Sequence, residues 1–281
     1  MKTRILTGLV IGPLLMVLCF FSGTPALPVT VAILNMVGTV EMLKCIGAAK
    51  EMLLAVPAVL MSAALSVLAF LFEDNVKDFA VGFMTASFVF LILLYTVSIL
   101  SKGKITVDSV FSVFASVVYV TFAFSSLVLL RGREGGGYLV VIAIFMPLIS
   151  DIFAYFCGVF FGRHKLIPEV SPKKTVEGSA GGMFFCGVGL IVFAIVVAKM
   201  NGSPVSFSLC IRMFAVGLIV SAISQIGDLL ASVIKRRYGI KDYGKLFPGH
   251  GGVLDRFDSI LAVSPIILFL TFIPSFVIFA A

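Results

Sequence analysis

Residues 181–198, GGMFFCGVGLIVFAIVVA, carry no charged side chain, with Glu177 before them and Lys199 after. A run of this kind crosses the roughly 30 Å hydrocarbon core of a bilayer as a helix, because lipid offers the backbone no hydrogen-bond partners. Working outward in both directions, similar runs are centred near residues 13, 35, 62, 89, 118, 148, 221 and 268, giving about nine transmembrane helices. The expected fold is an all-α polytopic membrane protein. The composition agrees, with 60% hydrophobic and 12% charged residues. With no Trp in the chain, the interfacial aromatic belt is left to Tyr.

If each run crosses once from a cytoplasmic N-terminus, most of the 21 Lys and Arg gather on the cytoplasmic face, among them Lys2, Arg4, Lys44, Lys50, Lys102, Lys104, Lys173, Lys174 and Lys235. Lys77, Arg131, Arg133 and Lys199 fall on the other face, as the positive-inside bias expects. The net charge of +7 is spread over membrane-proximal loops. It therefore suits anionic lipid and phosphate and gives no platform for nucleic acid. The five cysteines lack CxxC spacing and read as small buried hydrophobes, with no disulfide or zinc framework. Lys2 and Arg4 before the first run resemble a signal peptide, but with no convincing cleavage site the run reads as a retained helix.

Two regions are expected. Residues 1–135 hold about five spans, poor in intramembrane charge, and read as scaffold. Residues 136–281 hold the chemistry, with basic cytoplasmic loops at 161–178 and 235–254. In this half Asp151 lies within the sixth span, Asp228 within the eighth, and Asp255 and Asp258 open the ninth. Carboxylates at such depth are costly and usually functional. Counted along the helices, all four reach the cytoplasmic side, which is where the active site is expected.

Asp228, Ser232 and Lys235 share one helix face at i, i+4 and i+7, and Asp255 and Asp258 share another at i, i+3. Three carboxylates converging from two helices repel one another unless a cation neutralises them, and hard oxygen ligands suit Mg²⁺. The helix N-terminus adds only about 0.3–1 kcal/mol per carboxylate. Simple ion pairing of Asp228 with Lys235, or of Asp258 with Arg256, is the alternative. The turn Pro248–Gly252 reads either as a nest of backbone amides for phosphate, with His250 beside it, or as a tight loop. It carries no Walker A pattern. Ser171, Lys173, Lys174 and Thr175 before the seventh span suit phosphate, or else simple positive charge with a helix cap at Thr175–Gly178. Asp151 can orient a lysine, meet a nucleotide hydroxyl, or serve as polar glue between helices.

The run S-x-x-K-R-x(4)-K-D-x-G-x(2)-F-P-x-H-G-G-x-x-D-R-x-D, from Ser232 to Asp258, resembles the signature of phosphatidate cytidylyltransferases, also called CDP-diacylglycerol synthases. SPKKTVEG (171–178) and SDIFAYFCG (150–158) resemble upstream blocks of the same family, so the likeness covers about residues 138–262. Val176 stands where an aromatic residue is expected, and Ala231 where Glu is expected.

The resemblance implies that CTP and phosphatidate, within membrane lipid, give CDP-diacylglycerol and pyrophosphate. It implies Mg²⁺ on Asp228, Asp255 and Asp258, and leaves room for a second cation such as K⁺. Lys235 then joins these three as catalytic. Asp151, Ser171, Lys173, Lys174, Thr175, Ser232, Lys241, His250, Gly251, Gly252 and Arg256 are the expected substrate-binding residues. The implied setting is a bacterial cytoplasmic (inner) membrane, and a homo-oligomer is compatible with the sequence. Rival readings are a polyprenol- or phytol-type lipid kinase and an ion-coupled transporter, the latter disfavoured because no internal repeat is visible.

Overall fold

A computed structural model of the protein describes residues 24–249 and 251–273. Eight α-helices are found there: α1 (Ala26–Cys45), α2 (Met52–Leu71), α3 (Val76–Leu100), α4 (Val107–Arg131), α5 (Gly136–Phe161), α6 (Val176–Met200), α7 (Phe207–Arg237) and α8 (Leu254–Leu270). Each covers one of the runs expected from residue 35 onward. The run near residue 13 lies outside the described residues. Helices α1 to α7 are long and apolar enough to cross a membrane. Helix α8, over its 17 residues, begins in the polar segment around Asp255.

One departure from an all-helical chain lies between α5 and α6. The segment expected as a plain loop forms an antiparallel hairpin, β1 (Lys165–Ile167) with β2 (Ser171–Thr175). Lys165 pairs with Thr175 and Ile167 with Ser171.

The chain divides into two compact units. The first takes in the chain through Arg133 together with Arg237–Phe257, and the second takes in Glu134–Arg236 and the chain from Asp258. In the first, α1, α2, α4 and α3 pack around fully buried Leu54, Leu94, Val110, Val113 and Val117. Asn35 of α1 donates to the Ser62 carbonyl (3.1 Å) and to Ser66 Oγ (2.9 Å) of α2, giving an amide inside an apolar run the partners it needs. Arg131 at the end of α4 pairs with Glu73 beyond α2.

In the second unit, glycines let α5 and α6 approach to backbone contact. A Cβ on Gly182 would lie 2.8 Å from the Ser150 carbonyl oxygen, and one on Gly178 2.6 Å from that of Ala154. Gly187 of α6 and Gly217 of α7 meet in the same way, at 2.5 Å. Helices in lipid gain little from burying apolar area and associate through close contact of this kind. Cys45, Cys157, Cys186 and Cys210 form no disulfide, and Cys45 and Cys186 are buried as expected of small hydrophobes.

Candidate functional site

Close approach of α5 and α6 creates one wall of a cavity of about 600 Å³ in the second unit. Asp151, Ala154, Tyr155 and Gly158 line it from α5, at the i, i+3, i+4, i+7 spacing of a single helix face. Gln225 and Asp228 line it from α7, and the hairpin adds Lys165, Ser171, Lys173, Lys174 and Thr175. Five of the residues expected to act, Asp151, Ser171, Lys173, Lys174 and Thr175, thus meet Asp228 around one space.

Lys174 reaches across to Asp228, with Nζ 2.5 Å from Oδ2. Helical spacing alone offers Lys235 as the partner of Asp228. The hairpin brings Lys174, distant in sequence, to Asp228. Asp151 lies within electrostatic range of both Asp228 and Lys174. Asp258 feels Asp228, Asp151 and Lys235. Its Oδ1 accepts the Ser259 amide at 2.7 Å. The second unit therefore holds three mutually repelling carboxylates and, paired to one of them, a lysine. Ser232 is half-buried one turn beyond Asp228.

Thr175 caps α6, its Oγ1 accepting the Gly178 amide at 3.1 Å. The cap expected from Thr175–Gly178 is present, and the same residue lines the cavity. A Cβ on Gly158, Gly162 or Gly178 would each lie 2.9 Å from that hydroxyl, so the three glycines wrap it. Thr175→Ala is expected to cost about 1 kcal/mol, read as a lowered thermal midpoint in detergent.

Gln225, Ser179 and Lys165 also belong to the site, although no sequence motif points to them. Ser179 Oγ donates to Gln225 Oε1 at 2.5 Å, and Gln225 Nε2 donates to the Ser179 carbonyl and to Ser221 Oγ, both at 3.2 Å. Ser221 also meets Ser150 of α5 at 2.6 Å, so three helices are tied at the cavity floor. A signal for Gln225 does exist, since it is an amide within an apolar span on the face of Asp228.

The first unit contains a different arrangement. Asp255 is buried, and its Oδ2 accepts the amides of Tyr243 (2.7 Å) and Gly252 (2.9 Å). Glu41 of α1 accepts the amides of Val253 and Leu254 (3.0 and 2.9 Å). The Gly252 amide, offered by the sequence to a phosphate, is engaged here by Asp255, the carboxylate three residues on. The N-terminal region contributes a buried carboxylate at Glu41. Around this loop Lys241, Lys245 and Arg256, with one carboxylate, Asp242, and with Gly244, Gly249 and Gly251, line a pocket of about 680 Å³. His250 lies outside the described residues.

Among the described residues, no three His, Cys, Asp or Glu side chains are gathered as a metal cage. Asp228 and Asp258 belong to the second unit and Asp255 to the first. The donor chemistry of the second unit nonetheless fits a hard cation. Mg²⁺ is usually held by one or two carboxylates plus substrate phosphates, so a preformed protein cage is not required.

The chain matches the model of the cytidylyltransferase family over residues 2–273. It is 34% identical over 274 residues to a phosphatidate cytidylyltransferase of Bacillus subtilis, covering 96% of this chain and 97% of that protein. A phosphatidate cytidylyltransferase of Staphylococcus haemolyticus is 32% identical over 272 residues, covering 95% and 97%. One of Staphylococcus aureus is 39% identical over 181 residues, covering 63% and 64%. Matched along nearly its whole length by a family model and by relatives aligned end to end, the chain belongs to the cytidylyltransferase family.

Proposed function

We infer that this chain transfers the cytidylyl group of CTP to phosphatidate, releasing pyrophosphate and leaving CDP-diacylglycerol in the membrane. Family membership and the near full-length relatives support the reaction. The observation that carries the site is the meeting of Asp151, Lys173, Lys174 and Asp228 around one cavity walled by apolar helices. Such a cavity offers cations to a phosphate headgroup while acyl chains stay in hydrocarbon.

A phosphatidate oxygen forms a bond to the α-phosphorus of CTP, and the bond from that phosphorus to the bridging oxygen of the β-phosphate breaks. The attacking oxygen is already anionic, so no strong general base is needed, and the chain's task is positional and electrostatic. Lys173 and Lys174 in the one pocket, and Lys241, Lys245 and Arg256 in the other, bind and orient phosphates. Lys235 offsets charge near Asp258. Mg²⁺ held by Asp228 and Asp258 would supply charge neutralisation for phosphate oxygens and the departing pyrophosphate. Asp255, the third ligand implied by the motif, is read through its bonds to Tyr243 and Gly252 as the anchor of the basic loop. The positive-inside bias puts the loops on the cytoplasmic face, where CTP is found, and the bacterial relatives favour a cytoplasmic membrane.

Detergent-purified protein supplied with phosphatidate, Mg²⁺ and CTP labelled at the α-phosphate is expected to place label in lipid, and EDTA is expected to stop it. Label entering lipid from the γ-phosphate instead would point to a lipid kinase. No lipid label from either position would remove the enzymatic reading altogether.

A further inference from the structure

Glu41 is 5% exposed, near the C-terminal end of α1. Burying a carboxylate is costly unless charged or strongly donating groups meet it. Here each oxygen takes one backbone amide: Oε1 that of Val253 and Oε2 that of Leu254. These donors begin α8, 212 residues further along the chain in the case of Val253. The first amides of a helix have no partner within it. Glu41 therefore acts as a cap supplied from another helix, and Lys44, one turn on, lies within electrostatic range of it.

The surroundings are shaped to admit it. A Cβ on Gly244 or on Gly252 would fall 2.2 Å from Glu41 Oε1. Neither glycine has a positive φ. Their lack of a side chain therefore answers to the space the carboxylate needs. Gly244 is part of the wall of the pocket that Lys241, Lys245 and Arg256 also line.

We propose that Glu41 is a positioning residue for the reaction: its carboxylate fixes the backbone that carries Lys241, Lys245 and Arg256, so that their charges converge on one phosphate-binding pocket. This rests on the reading of that pocket as a substrate site in cytidylyl transfer. In this reading Glu41 acts through the loop that it fixes and not as a ligand of the substrate.

The test uses the full chain in detergent, with Glu41→Ala, Glu41→Gln, Gly252→Ala and the double variant Glu41→Ala/Gly252→Ala. Loss of the anchor is expected to lower kcat/KM for CTP about 100-fold in Glu41→Ala, mainly by raising KM. Glu41→Gln, which keeps an acceptor oxygen, is expected to fall between it and the parent. Gly252→Ala alone is expected to cost a similar factor. In the Glu41→Ala background its methyl enters vacated space and adds less than about twofold, a non-additivity expected only of residues in contact. An unchanged KM for CTP in Glu41→Ala, or full additivity of the two substitutions, overturns the proposal. If Glu41→Ala does not fold, the KM of Glu41→Gln decides in its place: a raised value supports the anchor and an unchanged one overturns it. Amide hydrogen exchange gives a readout that does not need turnover: Val253 and Leu254 should exchange faster in Glu41→Ala or Glu41→Gln. Unchanged exchange refutes the anchor even in a fully active enzyme. Faster exchange in a protein that never consumes CTP refutes the functional reading instead.

Discussion

Asp228→Asn is expected to lower cytidylyl transfer by about 10³-fold, the scale of removing a principal electrostatic group from an active site. Asparagine matches the size of aspartate, so α7 keeps its packing and only charge is removed. The change is felt widely because Asp228 faces Lys174 at 2.5 Å and lies within electrostatic range of both Asp151 and Asp258. Both members of the pair are partly exposed, 24% and 31% by side chain, so breaking it should cost stability no more than about 1 kcal/mol. The signature is thus a large loss of turnover with a nearly constant thermal midpoint. Lys174→Met, which frees the carboxylate from the other side, should keep more activity than Asp228→Asn. Turnover by Asp228→Asn within a few-fold of the parent would take Asp228 out of the chemistry.

Gly182→Val is expected to lower both the yield and the thermal midpoint of folded protein. Its Cβ would meet the Ser150 carbonyl at 2.8 Å and Ala154 Cβ at 2.9 Å, and the two added methyl groups need still more room. A backbone carbonyl in a helix cannot rotate aside as a flexible side chain can, so α5 has to move away from α6. Overpacking of a well-filled interior costs about 1–3 kcal/mol. Here it acts at the seam that carries Asp151, Ala154 and the hydrogen-bonded serines. Yield of monodisperse protein and its thermal midpoint in detergent measure the effect. Gly189→Val is the matched control, since the nearest neighbours of a Cβ there are side-chain carbons of Ile149 at 3.6 Å, ordinary contact distance. Equal behaviour of the two variants would contradict close backbone packing as the basis of the seam.

The helices are legible in the sequence because an apolar run long enough to span a bilayer has few alternatives, and every expected run among the described residues is one. The hairpin is not legible, since Ser171–Thr175 carries Pro172 and two adjacent lysines and lacks the apolar alternation that marks a strand. The hairpin joins the end of α5 to the start of α6. Motif residues can be named from the sequence, but not their partners. The Lys174 bond to Asp228 joins segments brought together by packing, whereas local spacing favours Lys235. Glu41 is not legible for a related reason, because beside Lys44 at i+3 a carboxylate reads as one half of a local ion pair. Its partners are backbone amides, which leave no mark in side-chain patterns.

The hydroxyl of Thr175, wrapped by Gly158, Gly162 and Gly178, ties four positions into one heritable block. A methyl acquired at any of the three glycines pushes against the oxygen that begins α6, and with it the strand bearing Lys173 and Lys174. Drift at these sites is therefore expected to be jointly constrained: across descendants of this sequence they should vary as a set or stay fixed.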